Sequence, residues 1–224
     1  MRGASVSRPI APAALEAGLS SERAAHIRRG KLLEYATVGY NSIEGIIAVG
    51  SGIVAGSIAL LGFGFDSFIE CISGLTLLWR LYGDAEEKER ERLEQRALRI
   101  VGASFIVLAA YVGYDAISSL VRREPPDESK VGIALAVVSL VVMPLLVRAK
   151  RRVAQAIGSA ALAADAAQTQ ICTYLSAILL GGLLLNATLG WWWADPAAAL
   201  VMLPIIIKEG VEAFRGEHCD DCHP

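Results

Sequence analysis

Histidine is scarce in this chain. There are three, His26, His218 and His223, and none falls inside an apolar stretch. A hydrolase built on a metal-activated water usually draws on imidazole ligands, so a membrane-embedded metal hydrolase has little to work with. Cysteine is equally sparse: two of the four residues, Cys71 and Cys172, lie in apolar segments, and Cys219 and Cys222 form a C-x-x-C near the C-terminus. This is not the dense framework of a small disulfide-stapled domain. There is no glycine-rich phosphate cradle in the right context, no nucleophile–base pair and no basic surface interleaved with aromatics. Nucleic acid is therefore not an expected partner, no prosthetic group is expected, and the chain does not read as an enzyme.

Charge is also missing, but only locally. The chain is 54% hydrophobic with a mean hydropathy of +0.47, and several stretches of about 20 residues, enough to cross roughly 30 Å of hydrocarbon, are almost free of charge. The expected fold is all-α, a polytopic membrane protein of six transmembrane helices. The spans run from about Leu32 to Ala55, Ser57 to Leu81, Leu98 to Val121, Val131 to Val147, Ala154–Ser159 to Leu185, and Trp191 to Lys208. Residues 1–31 read as a cytosolic N-terminal tail, a disordered leader with one short helix from Ser21; 32–215 as the membrane domain; and 216–224 as a Cys/His-containing tail.

Lys and Arg alternate by connection. They crowd the N-terminal tail, the stretch from Tyr82 to Arg96, the turn after the fourth segment (Arg148, Lys150, Arg151, Arg152) and the C-terminal end. Such excess marks the cytoplasmic side. Both termini are thus expected in the cytoplasm, in a bacterial inner (plasma) membrane. Trp191, Trp192 and Trp193 fall where an interfacial aromatic belt is expected. The charged run from Asp84 has helical spacing of opposite charges and extends a neighbouring segment into the cytosol.

A short internal repeat directs attention to two segments. Gly56-Ser57-Ile58-Ala59-Leu60 and Gly158-Ser159-Ala160-Ala161-Leu162 each open one. Equal counting from each start pairs Asp66 with Gln168 and Glu70 with Cys172. Residues at i and i+4 share a helix face, so Asp66 and Glu70 can offer two carboxylates to one cation. Asp165, Gln168, Thr169 and Cys172 likewise share a face of the fifth segment. Oxygen and thiolate ligands together suit zinc or a similar transition metal. Ionised groups at mid-depth cost about 2.5–3.5 kcal/mol on insertion scales, which argues for function at Asp66, Glu70 and Asp165. Cys172 reads as a ligand or as a small core residue, and Gln168 as a weak ligand or, preferably, an interhelical hydrogen-bond partner.

Asn41 and Glu44 sit in the first segment and are candidates for an ion path or proton coupling; Glu44 holds a proton or lines that path, or else pairs with another helix. Asp195, followed by Pro196, reads as the N-cap of the sixth helix, and Asp115 as part of an outward vestibule. His218, Cys219, Cys222 and His223 form a candidate tail site for a soft metal.

At these residues the chain resembles the cation diffusion facilitator family of metal-ion transporters, as a short, divergent member without the C-terminal cytoplasmic domain. The likeness rests on Gly-Ser-Ile-Ala-Leu-Leu leading to Asp66-Ser-Phe-Ile-Glu70, on Ser159-Ala-Ala-Leu-Ala-Ala-Asp165-Ala, and on Ala194-Asp195-Pro196. Tyr114-Asp115-Ala-Ile adds weaker support. In that family an acidic or His pair on the second helix and a His-x-x-x-Asp pair on the fifth bind the transported ion. The matching positions are Asp66 and Glu70, then Gln168 and Cys172, so the fifth helix lacks both usual ligands. The resemblance implies efflux of a divalent transition metal, zinc first, by alternating access around a midplane site. It also implies proton antiport and allows a homodimer. A membrane metal sensor or binding partner that does not transport is the alternative reading, favoured by the missing ligands of the fifth helix.

Overall fold

The computed structural model of the protein describes residues 13–82, 87–123 and 126–215. The described residues form six helices and no strand: α1 (Ala13–Ala55), α2 (Ile58–Tyr82), α3 (Glu87–Arg122), α4 (Lys130–Ile157), α5 (Ala160–Leu189) and α6 (Ala194–Arg215). The most extensive pairings are α1 with α2, α3 with α6, and α4 with α5.

The burial pattern is that of a membrane protein. Large apolar side chains face outward, with Ile43 63%, Val54 84%, Val107 70% and Val121 77% exposed. Polar and ionisable ones turn inward, among them Glu34, Asn41, Glu44, Asp66, Ser67, Glu70, Lys150, Asp165 and Thr169. In water this arrangement would expose apolar surface and bury charge, both unfavourable; in hydrocarbon it satisfies both constraints. The chain is an integral multi-pass membrane protein. Five of the helices are long and apolar enough to cross. The sixth, α6, is apolar only from Pro196 to Ile207 before Lys208, Glu209 and Glu212, roughly 18 Å at 1.5 Å per residue.

Two helix boundaries differ from the sequence expectation, and a third follows it. The first helix is continuous from Ala13, so residues 13–31 prolong α1 rather than form a separate short helix from Ser21. That segment is rich in Ala, Leu, Glu and Arg, all good helix formers. As its charge spacing suggested, the charged run prolongs a neighbouring segment: α3 is helical from Glu87. The expected basic turn after the fourth span is helix, because α4 runs on to Ile157. Its inward stripe, Gly132, Ala136, Ser139, Met143, Val147, Lys150 and Val153, keeps helical spacing straight through the basic run. Lys150 is consequently fully buried, not a surface charge.

The Gly-Ser repeat has a local cause. Gly56 and Gly158 both adopt positive φ, 64° and 65°, the left-handed conformation that ends a helix without a Cβ penalty. The serine that follows caps the next helix: Ser57 Oγ accepts from Leu60 N at 3.1 Å and Ser159 Oγ from Leu162 N at 3.3 Å. Each pair is a tight antiparallel turn, and each sets the phase of the helix that carries the candidate ligands. Close helix approach occurs at Gly102 of α3, where an added Cβ would lie 2.7 Å from the Gly210 carbonyl of α6. Small residues play this part in membrane helix packing generally.

Asp195 does not cap its own helix, as its position before Pro196 suggested. It lies inside the first turn of α6, fully buried, and caps α2 instead. Its carboxylate accepts from Ser57 Oγ at 2.5 Å, Ile58 N at 2.9 Å and Ala59 N at 3.5 Å. Free N–H groups at a helix start are a natural seat for an anion, and here the anion comes from a helix more than a hundred residues away in sequence. Asp195→Ala leaves three buried donors without their partner and is expected to cost about 2 kcal/mol or more. Denaturation of the purified protein in detergent measures it, with Asp195→Asn expected to retain part of the loss.

Candidate functional site

The face of α5 that carries Asp165, Thr169, Cys172 and Ser176 advances about one turn at a time. It meets the Asp66–Glu70 face of α2 and the inward face of α4. Together they line a buried polar column about 16 Å long, from the eleven-residue separation of Asp165 and Ser176 at 1.5 Å per residue.

At one end Ser176 Oγ donates to Ser139 Oγ of α4 at 3.0 Å. Next, the Cys172 thiol donates to Asp66 Oδ2 at 3.3 Å. One turn on, Thr169 Oγ1 donates to Glu70 Oε1 at 2.7 Å. At the far end the Lys150 ammonium donates to Thr169 Oγ1 at 3.3 Å and forms an ion pair with Asp165 Oδ2. It also lies 3.3 Å from each carboxylate oxygen of Glu34 of α1. Asp66 is 7% exposed, Glu70 2% and Cys172 1%, so the column is closed to its surroundings.

The helix α1 supports the column from the side. Glu44 accepts from Tyr40 OH and from Ser67 Oγ of α2, both at 3.0 Å. Of the two roles expected for Glu44, pairing with another helix is thus present in this conformation. Asn41 is fully buried, and neither its amide nitrogen nor its oxygen has a hydrogen-bond partner. Glu70 Oε2 and Asp165 Oδ1 are likewise buried without a hydrogen bond. Buried acceptors are normally satisfied, so these atoms mark places where a ligand, a proton or water has something to gain.

The structure therefore brings together Asp66, Glu70, Cys172 and Asp165 along one column. Gln168 stands apart: its Oε1 accepts from Ser73 Oγ at 2.9 Å, an α5–α2 hydrogen bond. Among the described residues no three His, Cys, Asp or Glu side chains are gathered tightly enough to hold a metal ion. Glu70 and Asp165 are directed instead to Thr169 and Lys150. The tail candidates His218, Cys219, Cys222 and His223 lie outside the described residues. The site residues that the sequence reading missed are Lys150 and Glu34. Lys150 hides in Arg148-Ala-Lys-Arg-Arg; only the continued helical stripe from Gly132 would have turned it inward. Glu34 stands among Lys31, Leu32 and Leu33, close to the expected membrane edge, and offers no such signal.

Comparison with known proteins places this architecture among transporters. Residues 37–216 match the family described as the cation efflux transmembrane domain. An uncharacterized transporter of Synechocystis is 26% identical over 175 residues, covering 75% of this chain and 56% of that protein. A cation-efflux pump of Shewanella oneidensis is 30% identical over 133 residues, 59% of this chain and 42% of the pump. An uncharacterized transporter of Methanocaldococcus jannaschii is 24% identical over 174 residues, 75% of this chain and 61% of that protein. The chain thus spans about half the length of these relatives.

Thr169 ties the two carboxylate groups of the column together, which yields a stability test. Thr169→Val preserves shape but leaves Glu70 Oε1 unpaired, with an expected loss of about 1–3 kcal/mol. Thr173→Val removes only a 3.4 Å bond to the carbonyl of its own helix and is expected to cost under about 1 kcal/mol. Paired thermal unfolding in one detergent compares them.

Proposed function

The chain belongs to the cation efflux family, and from that premise we propose that it carries a divalent transition-metal cation across the membrane. The observation that carries this reading is the pair Asp66 and Glu70. Two carboxylates one turn apart lie buried in the middle of a membrane helix, with a thiol from α5 on the first and an unpartnered oxygen on the second. Ionised groups are retained at such depth where they serve an ion or proton path.

Asp66 and Glu70 are the core ligands of this proposal, and Cys172 is the third. A carboxylate–thiolate set favours zinc or a similar borderline metal over magnesium or calcium. To bind, the metal must displace the thiol proton that Cys172 now donates to Asp66 Oδ2 and draw Glu70 away from Thr169. Metal capture then releases protons, and protons returning to the same groups weaken the site. This is the physical basis for proton-coupled exchange. The name cation-efflux pump, carried by the Shewanella relative, supports export as the direction. The basic ends of α1 and α4, with Arg28, Arg29, Arg148, Arg151 and Arg152 exposed, support a cytoplasmic location for that side.

A second reading, a membrane metal sensor that binds without transporting, draws on one observation: no three ligand groups converge among the described residues. Flux separates the two. Purified protein in proteoliposomes is expected to give saturable zinc transport, compared with Mn, Fe, Co and Cd. The flux should accelerate when the pH is lower on the side toward which the metal moves, as antiport requires. The combined Asp66→Ala and Glu70→Ala variant is expected to fall to the rate of empty liposomes. Binding that survives without flux in the intact protein would replace the transporter by the sensor.

A further inference from the structure

The Glu34–Lys150–Asp165 cluster is not used by the reading above. Carboxylates from α1 and α5 converge on an ammonium from α4. Lys150 and Glu34 are wholly buried, and Asp165 is 5% exposed. An ammonium has three donors and no acceptor, and these meet three acceptors: Glu34, Asp165 and Thr169 Oγ1. A compact charge with three freely directed donors suits such a pocket better than a planar guanidinium. Two buried carboxylates around one positive charge form the surroundings a bound metal or alkali cation would demand. Here the chain supplies the cation itself. Asp165 Oδ1 keeps no hydrogen-bond partner, so the pocket still has an open acceptor beside the ammonium.

The electrostatic consequence is specific. Through Thr169 the ammonium is one hydroxyl away from Glu70. A divalent ion held by Glu34 and Asp165 would have to share the pocket with that ammonium, and like charges at such range repel strongly in a low-dielectric interior. Without Lys150, the two carboxylates would stand uncompensated beside Glu70, an arrangement that is costly unless a cation arrives.

Resting on the transport reading, we propose that Lys150 is a tethered cation: it fills, between Glu34 and Asp165, the place of a second mobile ion and limits the buried column to one cargo cation at Asp66 and Glu70. Lys150 is then a specificity-determining residue for ion number, and Asp165 belongs to its pocket rather than to the cargo ligands.

The test counts bound cadmium per chain by equilibrium dialysis and mass-spectrometric metal analysis of the purified full chain. Every variant carries serine at His218, Cys219, Cys222 and His223 to silence the tail. The parent is expected to bind one ion, and Lys150→Gln two. The triple variant Glu34→Gln, Lys150→Gln, Asp165→Asn, which removes all three charges, is expected to return to one. A Lys150→Gln protein that keeps the parent's count overturns the proposal. Should that variant fail to fold, the triple variant decides: the parent's count upholds the tethered cation, and one ion fewer shows that the cluster itself binds cargo. Asp66→Asn separates this from the transport reading. If the parent's ion is insensitive to Asp66→Asn, the site at Asp66 and Glu70 fails, whereas an ion gained in Lys150→Gln still upholds the pocket.

Discussion

Hydrocarbon offers no partner for a charge, and the arrangement of this protein follows from that constraint. Each ionisable group in the described interior must find its counterpart on another helix or remain available to a ligand. Lys150 answers to Glu34 and Asp165, joining α4 to α1 and α5. Glu44 is held by Tyr40 and by Ser67 of α2. Asp195 of α6 is held by the first backbone amides of α2. Lipid tails are as apolar as the side chains, so no hydrophobic force draws the helices together, and close packing and interhelical hydrogen bonds must do so. Polar ties of this kind consequently fix which helices are neighbours, and in what register.

The same constraint explains what the sequence could reveal. Long uncharged stretches stand out because lipid permits little else, so the helices were legible within a few residues at most ends. The Gly-Ser turns were legible as a repeat, and their meaning, a left-handed glycine followed by a capping serine, is local chemistry. Asp66 and Glu70 were legible because i and i+4 acids in an apolar run have no ordinary explanation. Lys150 was not, because basic residues next to a span normally mark its cytoplasmic edge, and its neighbours Arg148, Arg151 and Arg152 do face outward. Its inward direction depends on helix phase carried past the expected end of the span. Asp195 was misassigned for a related reason: Asp before Pro is a good local cap, whereas the amides it serves belong to a helix distant in sequence.

The two copies of the Gly-Ser turn deliver similar helices with dissimilar chemistry. In α2 the inward face presents Asp66 and Glu70, and in α5 the matching steps hold Gln168 and Cys172. Gln168 turns to Ser73, and the carboxylate of α5, Asp165, lies one turn earlier and is taken by Lys150. The middle of the column therefore has two carboxylates on α2 facing a hydroxyl and a thiol on α5. The asymmetry puts both mid-column carboxylates, Asp66 and Glu70, on one helix.

The two ties along α2 differ in kind and in partners. At its start, Ser57, Ile58 and Ala59 are bound to Asp195 of α6. At its midpoint, Glu70 connects through Thr169 to Lys150 and so to α1, α4 and α5. Asp66 lies between them. Because the ties use different helices, breaking one leaves the helices of the other engaged. The two ties therefore hold separate stretches of α2, its start to α6 and its middle to α1, α4 and α5.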